Sequence, residues 1–185
     1  MAPVRFLEGT KVYLRPIELA DTDWYYASIY DKSTRRLTGT QKHYTREQIA
    51  SYIEGKSRDS SSVLLLIVAC EDDQPVGDIA IQDIDTMNRN ANIRIAINND
   101  KHQGKGYGTE ALQLMLDYGF GILNLHRIEL NVFSYNERAV HVYEKMGFKR
   151  EGVQREALYY DHQYHDSILM SILEDEYRSM RARSS

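Results

Sequence analysis

A glycine-rich turn, Gln103-Gly104-Lys105-Gly106-Tyr107-Gly108-Thr109, joins an apolar β-like run (Ala91 to Ile97) to a helix-like run (Glu110 to Leu123). A chain written this way must pass from strand to helix through backbone that visits φ > 0 and lets another group approach closely, which glycine permits. The first turn of the following helix leaves N–H groups unpaired and carries the positive end of a dipole, and together these hold phosphate. A diphosphate-bearing cofactor is the first expectation, set against a tight turn with no ligand.

Spacing narrows the choice. Gly106-x-Gly108-x-x-Ala111 also fits the dinucleotide fingerprint, with Glu129 as a weak acidic partner. That fingerprint sits tight against a buried parallel strand, usually the first of its domain. Here the polar segment Asn98-Asn99-Asp100-Lys101-His102 intervenes, and the motif lies past the middle of the chain. No P-loop pattern can be read. What fits is Gln-x-x-Gly-x-Gly.

On these residues the chain resembles the GNAT acyltransferases, in which this turn holds the pyrophosphate of acetyl-CoA. Further landmarks are similar to that family: Tyr118-Gly119-Phe120, Leu123-Asn124-Leu125-His126-Arg127-Ile128, Asn136-Glu137-Arg138-Ala139 and Tyr143-Glu144-Lys145-Met146-Gly147-Phe148. The opening Tyr13-Leu14-Arg15-Pro16 with Asp21 resembles the ribosomal-protein and spermidine N-acetyltransferase branches. The match is strong from about Ala91 to Leu173, and the C-terminal half looks most like the diamine and spermidine enzymes.

Composition sets the outer limits. At 185 residues and 21.5 kDa, one domain with a sizeable core is expected, spanning residues 1–174 and followed by a charged, mobile tail at 175–185. A 42% apolar content argues against disorder. A net charge of −4 argues against a dedicated nucleic-acid partner, which calls for a basic surface. The single cysteine, Cys70, excludes an intrachain disulfide. No signal segment opens the chain and no apolar run approaches the ~20 residues of a membrane span, so no membrane association and a cytoplasmic location are expected.

The periodicities give strands at Lys11–Ile17, Val63–Cys70, Val76–Ile84, Asn92–Asn98 and Ile128–Phe133, with a closing hairpin at Phe148–Tyr160 and Tyr164–Leu173. Helices are expected at Ala20–Tyr30, at Thr45–Arg58 behind a Thr45/Gln48 capping box, after the glycine turn, and at Glu137–Met146. The fold class is α+β: a GNAT-like mixed, mostly antiparallel sheet of six to seven strands flanked by about four helices.

The resemblance implies the chemistry. Gly104, Gly106, Gly108 and Thr109 would seat the pyrophosphate with Gln103 and Tyr107, Lys105 would meet phosphate charge, and backbone groups of Ala96, Ile97 and Asn98 would bind the pantetheine arm as an added strand. Asn136 would contact the coenzyme, cap its helix, or do both. Tyr143 matches the family's general acid; a phenol of pKa ~10 suits protonation of a thiolate of similar basicity. Acetyl-CoA is the co-substrate, no metal is expected, and His162-x-x-His165 lacks a third ligand.

Two features depart from the family pattern. Relatives carry a glutamate base in a strand like Ala-Glu-Ile-Gly-Tyr, where this chain has Ala91-Asn92-Ile93-Arg94-Ile95. Glu129, Asp83, Asp78 and His126 are other candidates, and a water chain to bulk is a further route. The segment Lys32–Arg46 carries five cations and no acid, which repels a polyamine. A small-molecule amine or a protein N-terminal amine therefore stays open as acceptor, with Trp24, Tyr25, Tyr26, Tyr30, Tyr44, Tyr159 and Tyr160 as candidate pocket residues. An N-acetyltransferase acting by direct attack in a ternary complex is the leading reading. A non-catalytic acetyl-CoA sensor and a nicotinamide-dependent enzyme are the alternatives. A homo-oligomer is expected.

Overall fold

The computed structural model describes residues 2–185. Eight strands form one sheet in the order β1-β2-β3-β4-β5-β6-β8-β7. They are β1 (Leu7–Glu8), β2 (Val12–Pro16), β3 (Val63–Ala69), β4 (Pro75–Asp85), β5 (Asn90–Ile97), β6 (Arg127–Phe133), β7 (Lys149–Tyr160) and β8 (Gln163–Leu173). Every neighbouring pair is antiparallel except β5 and β6, which run parallel. The mixed α+β sheet agrees with the sequence, with one strand more than expected: the two-residue edge strand β1 is too short to show an alternation.

Among the described residues six α-helices flank the sheet: α1 (Thr22–Ile29), α2 (Lys32–Thr38), α3 (Arg46–Lys56), α4 (Tyr107–Gly121), α5 (Glu137–Lys145) and α6 (Glu174–Ser184). On one face α4 buries Ala111, Leu112, Met115, Leu116 and Phe120, a stripe at helical spacing that packs with Ile79, Ile81 and Ile93 of the sheet. On the other face α1 and α3 place Tyr25, Ile49 and Ile53 against Tyr13, Leu66 and Val68. The alternation of β2 and β3 between these two clusters is the period of two expected of a doubly covered strand.

The helix starts are chemically explicit. Thr45 Oγ1 accepts from Gln48 N at 3.2 Å while Gln48 Oε1 accepts from Thr45 N at 2.8 Å, the reciprocal box read from the sequence. Arg15 grips Asp21 through both guanidinium nitrogens, at 2.7 and 2.9 Å, and so fixes the entry into α1.

The last eleven helical residues correct an expectation. The sequence predicts a mobile tail after Glu174 because the charges there mask a helix. It forms α6 instead, with Tyr177 buried and stacked on Phe120 at 5.0 Å between ring centres.

Candidate active site

The parallel pairing of β5 and β6 is brief. It covers Asn90–Arg127, Ala91–Ile128 and Asn92–Glu129 only, while β5 continues to Ile97 and β6 to Phe133. The strands splay beyond Asn92, and the β6-side backbone edge of β5 has no ladder on it. Such an edge pairs with an extended chain. A cavity of about 750 Å³ occupies the opening and runs beneath α1, α2 and α3, within the range of ~300–1,000 Å³ typical of small-molecule sites.

The glycine turn forms one end of this cavity. Gly104 and Gly106 take φ of +77° and +84°, conformations that a side chain resists. Gly106 is the residue before α4, so the free amides of the helix start face the turn. Glu110, in the first turn of α4, accepts from the backbone N–H of Thr10, Lys11 and Val12 at 3.0, 2.8 and 2.8 Å, bracing the turn against β2. Burial works to raise the Glu110 carboxyl, but hydrogen bonds from Thr10 and the backbone of 10–12 hold it below the usual range.

Gln103, Gly104, Gly106, Tyr107, Gly108 and Thr109 line the cavity together with Ala96, Ile97, Asn98, Asn136 and Tyr143. Lys105 does not: its ammonium turns to Glu71 at 3.5 Å. Two cations and a histidine held neutral by burial and by Lys101 and Lys105 stand close to the turn instead. Lys11 Nζ donates to Lys105 O at 3.1 Å, Arg138 is within 3.5 Å of Gln103 Oε1, and His102 lines the cavity. Arg138 sits in the quoted Asn136–Ala139 landmark, so its position two residues past the helix cap was the available signal.

Asn136 is a true cap: its Oδ1 accepts from Ala139 N at 3.2 Å. Tyr143 lies one helix turn beyond Ala139 on α5, half-buried, its ring edge-on to Phe148 at 5.8 Å. Burial pushes its phenol up to about 12. Asn98 is 7% exposed, and its Nδ2 has no hydrogen-bond partner. Unpaired buried donors are rare in folded proteins, and Asn98 lies in the cavity wall.

Among the candidate bases, only Asp78 reaches the cavity. Glu129 pairs with Arg127 at 2.7 Å, and His126 pairs with Glu174 at 2.9 Å. Asn92 accepts from Gln82 Nε2 at 3.3 Å, a neutral contact. Of the aromatic candidates, Tyr25 and Tyr44 line the cavity, as does Tyr52, which the sequence reading missed. Trp24, Tyr26, Tyr30, Tyr159 and Tyr160 do not.

A family model described as an acetyltransferase (GNAT) domain matches residues 11–149. The chain belongs to the GNAT acetyltransferase family. As a GNAT member it is an acetyl-CoA-dependent N-acetyltransferase. It is 31% identical over 166 residues to the spermidine N(1)-acetyltransferase of Escherichia coli, covering 90% of this chain and 88% of that one. A probable N-acetyltransferase of Bacillus subtilis is 31% identical over 180 residues, covering 90% and 96%. The crystal structure of spermidine N-acetyltransferase from Vibrio cholerae in complex with CoA and spermine superimposes with a TM-score of 0.85 at 27% identity, covering 91% of this chain and 98% of that one. GNAT membership sets aside the nicotinamide reading of the glycine turn.

Proposed function

We propose that this GNAT enzyme transfers the acetyl group of acetyl-CoA directly to a small primary amine, with both substrates bound at once. The carrying observation is the splay of β5 from β6 beside the glycine turn. It opens a cavity with room for a pantetheine-like chain and an acceptor together. The amides at 103–109 and the start of α4 hold the pyrophosphate, with Lys11 and Arg138 adding positive charge around it. Asn98 Nδ2 and the open edge of β5 meet the pantetheine amides.

The amine attacks the thioester carbonyl carbon, the tetrahedral adduct expels the coenzyme sulfur, and Tyr143 gives its phenolic proton to that sulfur. A phenol held at about 12 stays protonated at every pH at which the enzyme works, as an acid must. The amine loses its protons to water in the cavity, since Asn92 offers no basic group, and that water returns one proton to the Tyr143 phenolate.

Thiol release measured over a panel of amines tests this reading. Turnover with intersecting double-reciprocal lines supports direct transfer, whereas parallel lines point to an acetyl-enzyme. Coenzyme binding without turnover on any amine would favour a sensor module in place of an enzyme.

A further inference from the structure

Taking the cavity as an acetyltransferase site, its end beneath α1 and α3 carries charge of an unexpected kind for a polyamine acceptor. Among the described residues lining the cavity, Asp78 is the only carboxylate. It is 4% exposed and already engaged: Arg94 Nη1 donates to Asp78 Oδ2 at 2.6 Å. Arg94 lies opposite Ala80 and Asp78 opposite Ala96, so the two are diagonal neighbours on one face of the sheet, within reach of long side chains. An ammonium ion entering here meets a carboxylate already neutralised. A second ammonium on the same molecule meets none.

The arginine is the more open partner, with 33% of its side chain exposed against 6% for Asp78. Its planar fork carries five N–H donors. Besides the bond to Asp78, it makes one to the Tyr52 hydroxyl at 3.4 Å, long for an N–H···O contact. Tyr52 stacks on Tyr25 at 6.1 Å and 18°, so the fork stands beside an aromatic wall. An ion pair whose carboxylate is buried opposite Leu66 of β3 contributes little net stability, because an apolar pair of similar volume commonly does as well. A half-satisfied guanidinium on a cavity wall is suited to a carboxylate, which it binds through two parallel N–H bonds.

We propose that Arg94 is a specificity-determining residue that binds a carboxylate of the acceptor, so that the substrate is a small amino-acid-type amine and not a polyamine. This deepens the acetyltransferase reading and depends on it. Asp78 acts through Arg94 as a positioning residue, fixing the fork against β4.

The test is thiol release by the full chain with free α-amino acids, each beside its primary amide and its decarboxylated amine, and with spermidine and spermine. At least one amino acid is expected to exceed its amide and its amine by about tenfold or more in kcat/KM, chiefly through KM. Arg94→Gln is expected to bring that ratio to within about threefold of one. Because that variant leaves Asp78 buried without its partner, the double variant Asp78→Asn, Arg94→Gln is measured beside it and is expected to lose the same preference. Preference for a polyamine or an amide, no turnover of any amino acid, or a preference that survives Arg94→Gln overturns the proposal. Failure of the acetyltransferase reading has a separate signature: acetyl-CoA would not raise the melting temperature, and no amine of any class would release thiol.

Discussion

At one end of the cavity most of the groups offered to a ligand are main-chain amides, those of the 103–109 turn and the unpaired edge of β5, with Asn98 and Arg138 as the side chains beside them. At the other end they are side chains from four elements: Tyr25 of α1, Tyr52 of α3, Asp78 of β4 and Arg94 of β5. A main-chain site depends on φ and on where a ladder stops, so substituting residues around it changes little as long as the glycines remain. A side-chain site is rewritten by single substitutions that leave the fold alone. Coenzyme use and acceptor choice are therefore separable in this molecule, and a relative's acceptor does not transfer with its fold.

The strongest way to break that separation is at Tyr143, which lines the same cavity. Tyr143→Phe is expected to lower kcat by about 10²–10⁴ with every acceptor alike, read as thiol release under saturating acetyl-CoA. Turnover equal to the parent enzyme would remove the phenol from the mechanism.

A change confined to the main-chain end should look different. Gly106→Val places a β-branched side chain at φ +84° and brings its Cβ to 2.8 Å from Lys11 Nζ, a strain of about 1–2 kcal/mol. The KM for acetyl-CoA is expected to rise about tenfold, with the ranking of acceptors preserved. A reordered acceptor panel would show that the two ends are coupled.

Glu110→Gln probes the brace under the turn. The folded carboxyl is held below its ordinary value, so its stabilising effect is present above the unfolded value of ~4.3 and is lost as pH falls through the folded one. Urea denaturation should show the variant weaker by about 1–2 kcal/mol at pH 7, with the gap closing on acidification. A gap that widens in acid would contradict the brace.

The smallest effect concerns the pH profile. With the phenol at about 12, kcat/KM should climb with amine deprotonation through pH ~9 and show no descending limb below pH ~11. A downturn near pH 9 would mean that another acid is in use.

The coenzyme end was legible in the sequence because backbone conformation writes itself locally: two glycines at positive φ, a capping asparagine, and an apolar stripe of period 3.6 all fall within one stretch. The acceptor end was not. Arg94 stood out only as a departure from a family pattern, and nothing in single-chain spacing brings it to Asp78, sixteen residues earlier on the facing strand. Helix α2 was read as a basic segment because seven residues carry too little periodicity. Its signals were the ends, where Asp31 Oδ1 accepts from Thr34 N at 2.8 Å and Gly39 closes at φ +67°. The open backbone edge at Ala96–Asn98 came from the resemblance alone, since a ladder that stops early leaves no mark on either strand.

Helix α6 fastens both helices whose first turns line the cavity, at their far ends. Tyr177 stacks on Phe120 of α4 and donates to Asp117 at 3.2 Å. A methyl group added at Gly147, just past α5, would fall 2.2 Å from Met180 Sδ. Trimming the polypeptide at its carboxyl terminus thus slackens a clasp shared by α4 and α5, and the loss should register as weaker grip on a nucleotide held at their opposite tips.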